Sequence, residues 1–146
     1  CGKLADTIAY DISDYSSSAN FGGKENNIYK EDIYVGYRYF DSFGVEPKYE
    51  FGYGKSYTDF DIKITDVQLE GTRIDINADV KNVGNKFCGK EVVQIYLSSP
   101  DGKLNKEFQS FAAFSKTKLL EPCETQSVAM SFDIKNFASY DEETSQ

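Results

Sequence analysis

From residue 58 onward the chain alternates apolar and polar positions. Phe60, Ile62 and Ile64 face one way while Asp61, Lys63 and Thr65 face the other. After a Glu70-Gly71 turn, Ile74, Ile76, Ala78 and Val80 repeat the pattern. A period of two sends alternate side chains to opposite faces of a strand. The two runs therefore predict an antiparallel hairpin with one buried and one wet face. Val92 to Leu97 is a denser apolar run, expected of a strand central to a sheet. Phe108, Phe111 and Phe114 are expected to supply large core side chains before Leu119, Leu120 and a Pro122-Cys123 turn, after which Val128, Met130 and Phe132 alternate again. Short strands with a turn signal about every ten residues predict a mainly β, antiparallel sandwich of the fibronectin type III or immunoglobulin kind.

Residues 1–57 differ in texture, being rich in Tyr, Gly, Asn, Ser and Asp with few aliphatic positions. Leu4, Ala5, Ile8 and Ala9 have a helical spacing. The Ser16-to-Gly23 stretch reads as loop, because Ser, Asn and Gly compete with regular backbone pairing. Ile33, Val35, Tyr37 and Tyr39 alternate with Tyr34, Gly36 and Arg38, which predicts a strand. So few aliphatic residues bury little by themselves, and the region reads as the tail of a larger domain. Two segments follow, 1–57 and 58–146.

Composition narrows the partners. Net charge is −8 and the sequence pI about 4.6. Such a surface repels nucleic acid and anionic membranes but is indifferent to a neutral sugar. No apolar run approaches the roughly 20 residues of a membrane helix. The opening Cys1-Gly2-Lys3-Leu4 has neither Met nor a charged-then-apolar leader, so the chain is expected to begin inside a longer polypeptide. Three cysteines are an odd number for a paired secreted scaffold, which favours thiols in a reducing, cytoplasmic setting while leaving export open. In a sandwich, Cys88 and Cys123 precede strands at the same end, and a disulfide between them stays open if their Cα atoms approach within about 7 Å. With no His and no zinc spacing, no metal or other cofactor is expected.

Several segments carry a family resemblance. Tyr29-Lys30-Glu31-Asp32-Ile33-Tyr34-Val35-Gly36-Tyr37-Arg38-Tyr39-Phe40-Asp41, followed by Phe51-Gly52-Tyr53-Gly54-Lys55-Ser56-Tyr57-Thr58, resembles glycoside hydrolase family 3, the β-glucosidases, where the α/β domain meets the fibronectin type III-like domain. Val80-Lys81-Asn82-Val83-Gly84, Gly89-Lys90-Glu91-Val92-Val93-Gln94-Ile95-Tyr96, Leu119-Leu120-Glu121-Pro122-Cys123-Glu124 and Ser139-Tyr140-Asp141-Glu142 are similar to further motifs of that family. Two departures stand out: Cys123 replaces the usual turn Gly, and Lys55 an apolar residue. The resemblance also implies that the sandwich stops short of its last strands at Gln146; either an unpaired edge is left open to self-association, or a segment elsewhere completes the sheet.

The resemblance implies what the chain lacks. The family's nucleophile lies in a Ser-Asp-Trp motif of a separate barrel, and this chain has no Trp. The family's acid/base carboxylate lies upstream of the Tyr-Arg-Tyr segment. Retaining hydrolysis needs two carboxyl groups about 5 Å apart, and the adjacent pairs Glu31/Asp32 and Asp141/Glu142 match no catalytic motif. A Ser-His-Asp or Cys-His mechanism is impossible without His. Gly52-x-Gly54 lacks the spacing of a phosphate cradle and suits a tight bend between domains.

The chain is therefore expected to be a non-catalytic accessory piece of a β-glucosidase, partnering the parent's catalytic domains. A carbohydrate- or protein-binding sandwich module, holding a β-glucoside or glucan, is the alternative. The candidate residues are Tyr37, Arg38, Tyr39 and Tyr53, for which domain-join packing and sugar contact both stand.

Overall fold

The computed structural model describes residues 2–100 and 102–144. The chain divides into two compact units. Among the described residues, one comprises 3–53 together with 97–110; the other comprises Gly2, Gly54–Tyr96 and 111–144. Residues 97–110, read from sequence as part of the sandwich, thus cluster with the first unit. Among the described residues, no helix is long and apolar enough to cross a membrane.

The second unit is the sandwich. Strands β1 (Phe60–Glu70), β2 (Arg73–Asn82) and β5 (Thr125–Asp133) form one antiparallel sheet in the order β1-β2-β5. Strands β3 (Val92–Leu97) and β4 (Ser110–Lys116) form the other. Between the sheets lie Ala78, Val80, Val93, Leu120, Val128 and Met130, with Phe60, Ile95 and Ala113 packed against them. This is the mainly β sandwich that the alternation predicts.

The hairpin contains a phase change that alternation alone conceals. Ile62 pairs with Val80 and Ile64 with Ala78, then the register shifts, and Val67 pairs with Ile76 and Leu69 with Ile74. One extra residue, Thr65, bulges out and lets an eleven-residue strand match a ten-residue partner. All four β1 aliphatics consequently stay on the inner face.

That face is covered unevenly. Ala78 and Val80 on β2 are fully buried and Met130 on β5 is 6% exposed, yet Ile62, Ile64, Val67 and Leu69 are 45–66% exposed. The two strands of the second sheet cover β2 and β5 and leave β1 open. The expectation that Ile62 and Ile64 are buried is corrected accordingly. Phe108 and Phe114 are likewise exposed, not core as expected, while Phe111 is half-buried with its ring against Tyr96 and Phe114.

The first unit is held by aromatic rings and loop hydrogen bonds. Leu4 and Ile8 are extended, not helical: Leu4 N–H donates to the Tyr53 carbonyl at 2.8 Å, and Ile8 and Tyr49 exchange two backbone bonds. The strand expected over 33–39 is also replaced. Helix α1 (Tyr37–Phe43) begins after Gly36 and closes at left-handed Gly44, whose N–H bonds the Phe40 carbonyl. Alternation lost to the i, i+4 contact of Tyr39 with Phe43 and to burial of Phe40 at 2% exposure.

Candidate functional site

In the first unit, α1 carries Tyr37, Arg38 and Tyr39 of the four residues singled out from sequence, and Tyr53 lies in the segment after it. Tyr37 and Tyr39 are half-buried on α1, with the Tyr37 ring 5.0 Å from Phe51 and the Tyr39 ring 5.2 Å from Phe43 and 5.6 Å from Phe40. Tyr53 lies against Tyr49 at 4.8 Å. Ring faces that lie on other rings are spent on packing. Arg38 places its guanidinium 5.9 Å from the Tyr37 ring centre, and its Nη1 reaches the Ile33 carbonyl at 3.5 Å.

A strap from far along the chain completes this cluster. Phe108 N–H donates to Ser42 Oγ at 2.9 Å, and Gln109 Nε2 donates to Asp41 Oδ2 at 2.8 Å. The neighbouring Glu107 accepts a short hydrogen bond from the Ser110 hydroxyl. Burial pushes the Glu107 carboxyl up, but the hydrogen bonds from Ser110 and its own backbone, with the Arg38 and Lys106 charges, carry it below its ordinary value. Nothing in the local spacing of Asp41, Ser42 or Glu107 announces these contacts, which span more than sixty residues of sequence.

The second unit has its own polar centre, at Asn82. Its side chain is fully buried and uses all of its capacity. Nδ2 donates to the carbonyls of Phe87 at 2.9 Å and Leu120 at 3.1 Å, while Oδ1 accepts from Gly84 N–H at 3.0 Å and Thr58 Oγ1 at 2.6 Å. Its backbone N–H and carbonyl meet Glu124 and Cys123. The Val-x-Asn-x-Gly motif therefore has a physical basis at each position. Val80 fills the core, Asn82 ties three loops, and a Cβ on Gly84 would lie 2.0 Å from Thr58 Oγ1. Cys88 and Cys123, on two of those loops, are free exposed thiols, so the disulfide left open from sequence is not formed.

A glycosidase acid needs a carboxyl held protonated by its surroundings. Asp11, Glu107, Glu124 and Asp133, whose titration is displaced, all move the other way. Among the described residues no cluster of His, Cys, Asp and Glu is placed to hold a metal.

Fold and polar centre together define a fibronectin type III-like sandwich joined to an aromatic-rich unit. Residues 91–146 match the family described as a fibronectin type III-like domain. A β-glucosidase of Ruminococcus albus is 48% identical over 97% of this chain, which covers 15% of that protein. An exo-α-(1→6)-L-arabinopyranosidase of Bifidobacterium breve is 34% identical over 97% of the chain and 19% of its own length. The crystal structure of a β-glucosidase from Paenibacillus barengoltzii superposes with a TM-score of 0.92 at 47% identity, covering 97% of this chain and 16% of that one. The chain belongs to glycoside hydrolase family 3, as a segment that spans 15–22% of the length of the relatives it matches.

Proposed function

We propose that the chain is the non-catalytic accessory segment of a family 3 glycosidase and supports the parent's catalytic domains structurally. One observation carries this. Among the described residues, the first unit buries only Thr7, Ala9 and Phe40 while exposing Tyr10, Ile12, Val35 and Phe43 by 57–78%. So small a core needs further apolar cover, and the aromatic surface fits a seat on the rest of the parent polypeptide. A join role for Tyr37, Arg38, Tyr39 and Tyr53 belongs to the same reading, through the rings that hold the unit's shape. That a β-glucosidase and an arabinopyranosidase both contain the segment suits a support that does not choose the sugar. Terminal β-D-glucosyl release is the activity assigned to the parent.

The reading extends to the sandwich. Its open β1 face and the two-stranded second sheet favour completion by further strands of the parent. Without them the same edge invites self-association.

Reconstitution tests the proposal. A family 3 β-glucosidase deleted for its own corresponding segment is expected to lose most hydrolysis of p-nitrophenyl-β-D-glucoside. Fusing this chain in its place is expected to restore at least about tenfold. Tyr10→Lys with Ile12→Lys should abolish that rescue while leaving the isolated chain's melting curve unchanged. Hydrolysis by the chain alone, or rescue indifferent to the double substitution, overturns the reading.

A further inference from the structure

We propose that residues 104–110 form a releasable latch that keeps helix α1 folded. The helix has little to stand on by itself. Its seven residues make about two turns, and isolated helices shorter than about 12–15 residues are marginal in water. It starts at Gly36 without a side-chain cap. Its charges also oppose its dipole, with Arg38 in the first turn and Asp41 in the last.

Those charges are answered from a distant segment. Residues 38, 41 and 42 are three and four positions apart, so Arg38, Asp41 and Ser42 share one side of α1. Tyr37, Tyr39, Phe40 and Phe43, which make the ring contacts, take up the rest of its surface. Residues 107–109 meet the polar side group by group. Ser42 Oγ accepts from the Phe108 N–H at 2.9 Å, and Asp41 Oδ2 accepts from Gln109 Nε2 at 2.8 Å. Glu107 complements Arg38. Burial raises its carboxyl, while the bonds from Ser110 and its own backbone, then the Arg38 and Lys106 charges, carry it below its ordinary value. Arg38 Nε is buried and, among the described residues, has no hydrogen-bond partner. Its fit there rests on charge more than on a full set of bonds.

The same contacts make the latch easy to open. No residue of 104–110 is buried, and Phe108 is 63% exposed. The segment is held by exposed polar contacts, each worth little alone, and such segments are the first parts of a fold to open. With the latch open, α1 keeps its ring packing and its misplaced charges. Phe43 rides on α1, so opening also disperses part of the proposed seat. That consequence rests on the accessory reading; the latch itself does not.

Hydrogen exchange of the isotope-labelled chain, without the parent, tests the latch. The Gly44 and Val45 amides report on α1, because both donate to the Phe40 carbonyl. The Phe108 amide reports on the latch. Gln109→Ala lies outside the helix and leaves its intrinsic propensity untouched. It should speed all three amides together by about fivefold to tenfold. Unchanged exchange along β2 shows that the fold is intact. Glu107→Lys should speed the three amides further, and adding Arg38→Glu should slow them again. Gly44 and Val45 amides unmoved by Gln109→Ala overturn the latch. Equal acceleration along β2 overturns it too, since the loss is then one of general stability. So does further acceleration on adding Arg38→Glu, which loss of the Tyr37 and Ile33 contacts alone would give.

Discussion

Cys123 shows how one residue registers a departure from its family. Glu121-Pro122-Cys123-Glu124 is a tight turn closed by the Glu124 N–H on the Glu121 carbonyl at 3.0 Å, with Cys123 at φ +67°. Pro before a left-handed residue is the arrangement that favours Gly at the second position. Holding an L side chain there costs about 1–2 kcal/mol, partly offset by the greater freedom of an unfolded glycine chain. The Cys123 side chain is exposed and buries little. Cys123→Gly should therefore stabilise the protein by about 0.5–1 kcal/mol, seen as a rise of about 2–4 °C in a calorimetric melt. Unchanged or lower stability would mean the thiol makes a contact worth as much as the backbone strain. The sequence marked this position through its neighbours Pro122 and Glu124; the sign of φ came only with the fold.

At the scale of elements, β1 and α1 teach opposite lessons about periodicity. β1 obeys a period of two on either side of Thr65, and the bulge keeps Ile62, Ile64, Val67 and Leu69 on one face. Facing inward is not the same as being buried, however. Met130→Ala on β5 should cost about 2–5 kcal/mol in a urea titration, because it empties a site packed between two sheets. Ile64→Ser should cost about 1 kcal/mol or less, because that side chain is 59% exposed. In a chain lengthened by further strands of the parent, the Ile64 cost should rise towards the Met130 value; if it stays small, the proposed completion of this face is wrong. α1 shows the reverse case, in which alternating side chains form a helix. Val35 and Tyr37 keep strand spacing on paper, but Phe40 needs burial and Gly44 supplies the left-handed stop.

For the molecule as a whole, the displaced carboxylates set the response to acid. The Glu124 carboxylate accepts from Lys118 and the Glu121 N–H, and the Asp133 carboxylate accepts from the Lys135 N–H and Thr72, so both lie below their ordinary values. Glu107 lies below its own for the reasons given above. A carboxylate depressed in the folded state binds protons more tightly when unfolded. Its contribution is complete above the ordinary values of 4.5 for Glu and 3.8 for Asp, and is lost as pH falls through the folded ones. Urea midpoints should therefore be flat from pH 7 to about pH 5 and decline below that. Glu107→Gln with Glu124→Gln should make the decline shallower, and an unchanged slope would assign acid sensitivity to other groups. The sequence by itself determined the sandwich and the hairpin at Glu70-Gly71, because alternation and turn chemistry are local and survive without knowledge of neighbours, while the kinship came from the resemblance of its motifs. The resemblance to a family motif also marked Asn82 and Gly84. Only the tertiary structure decided that residues 97–110 join the first unit, that Asp41 and Ser42 hold that strap, and that β1 faces inward uncovered. Those outcomes depend on which distant surface meets each side chain, and no local period in the sequence encodes that.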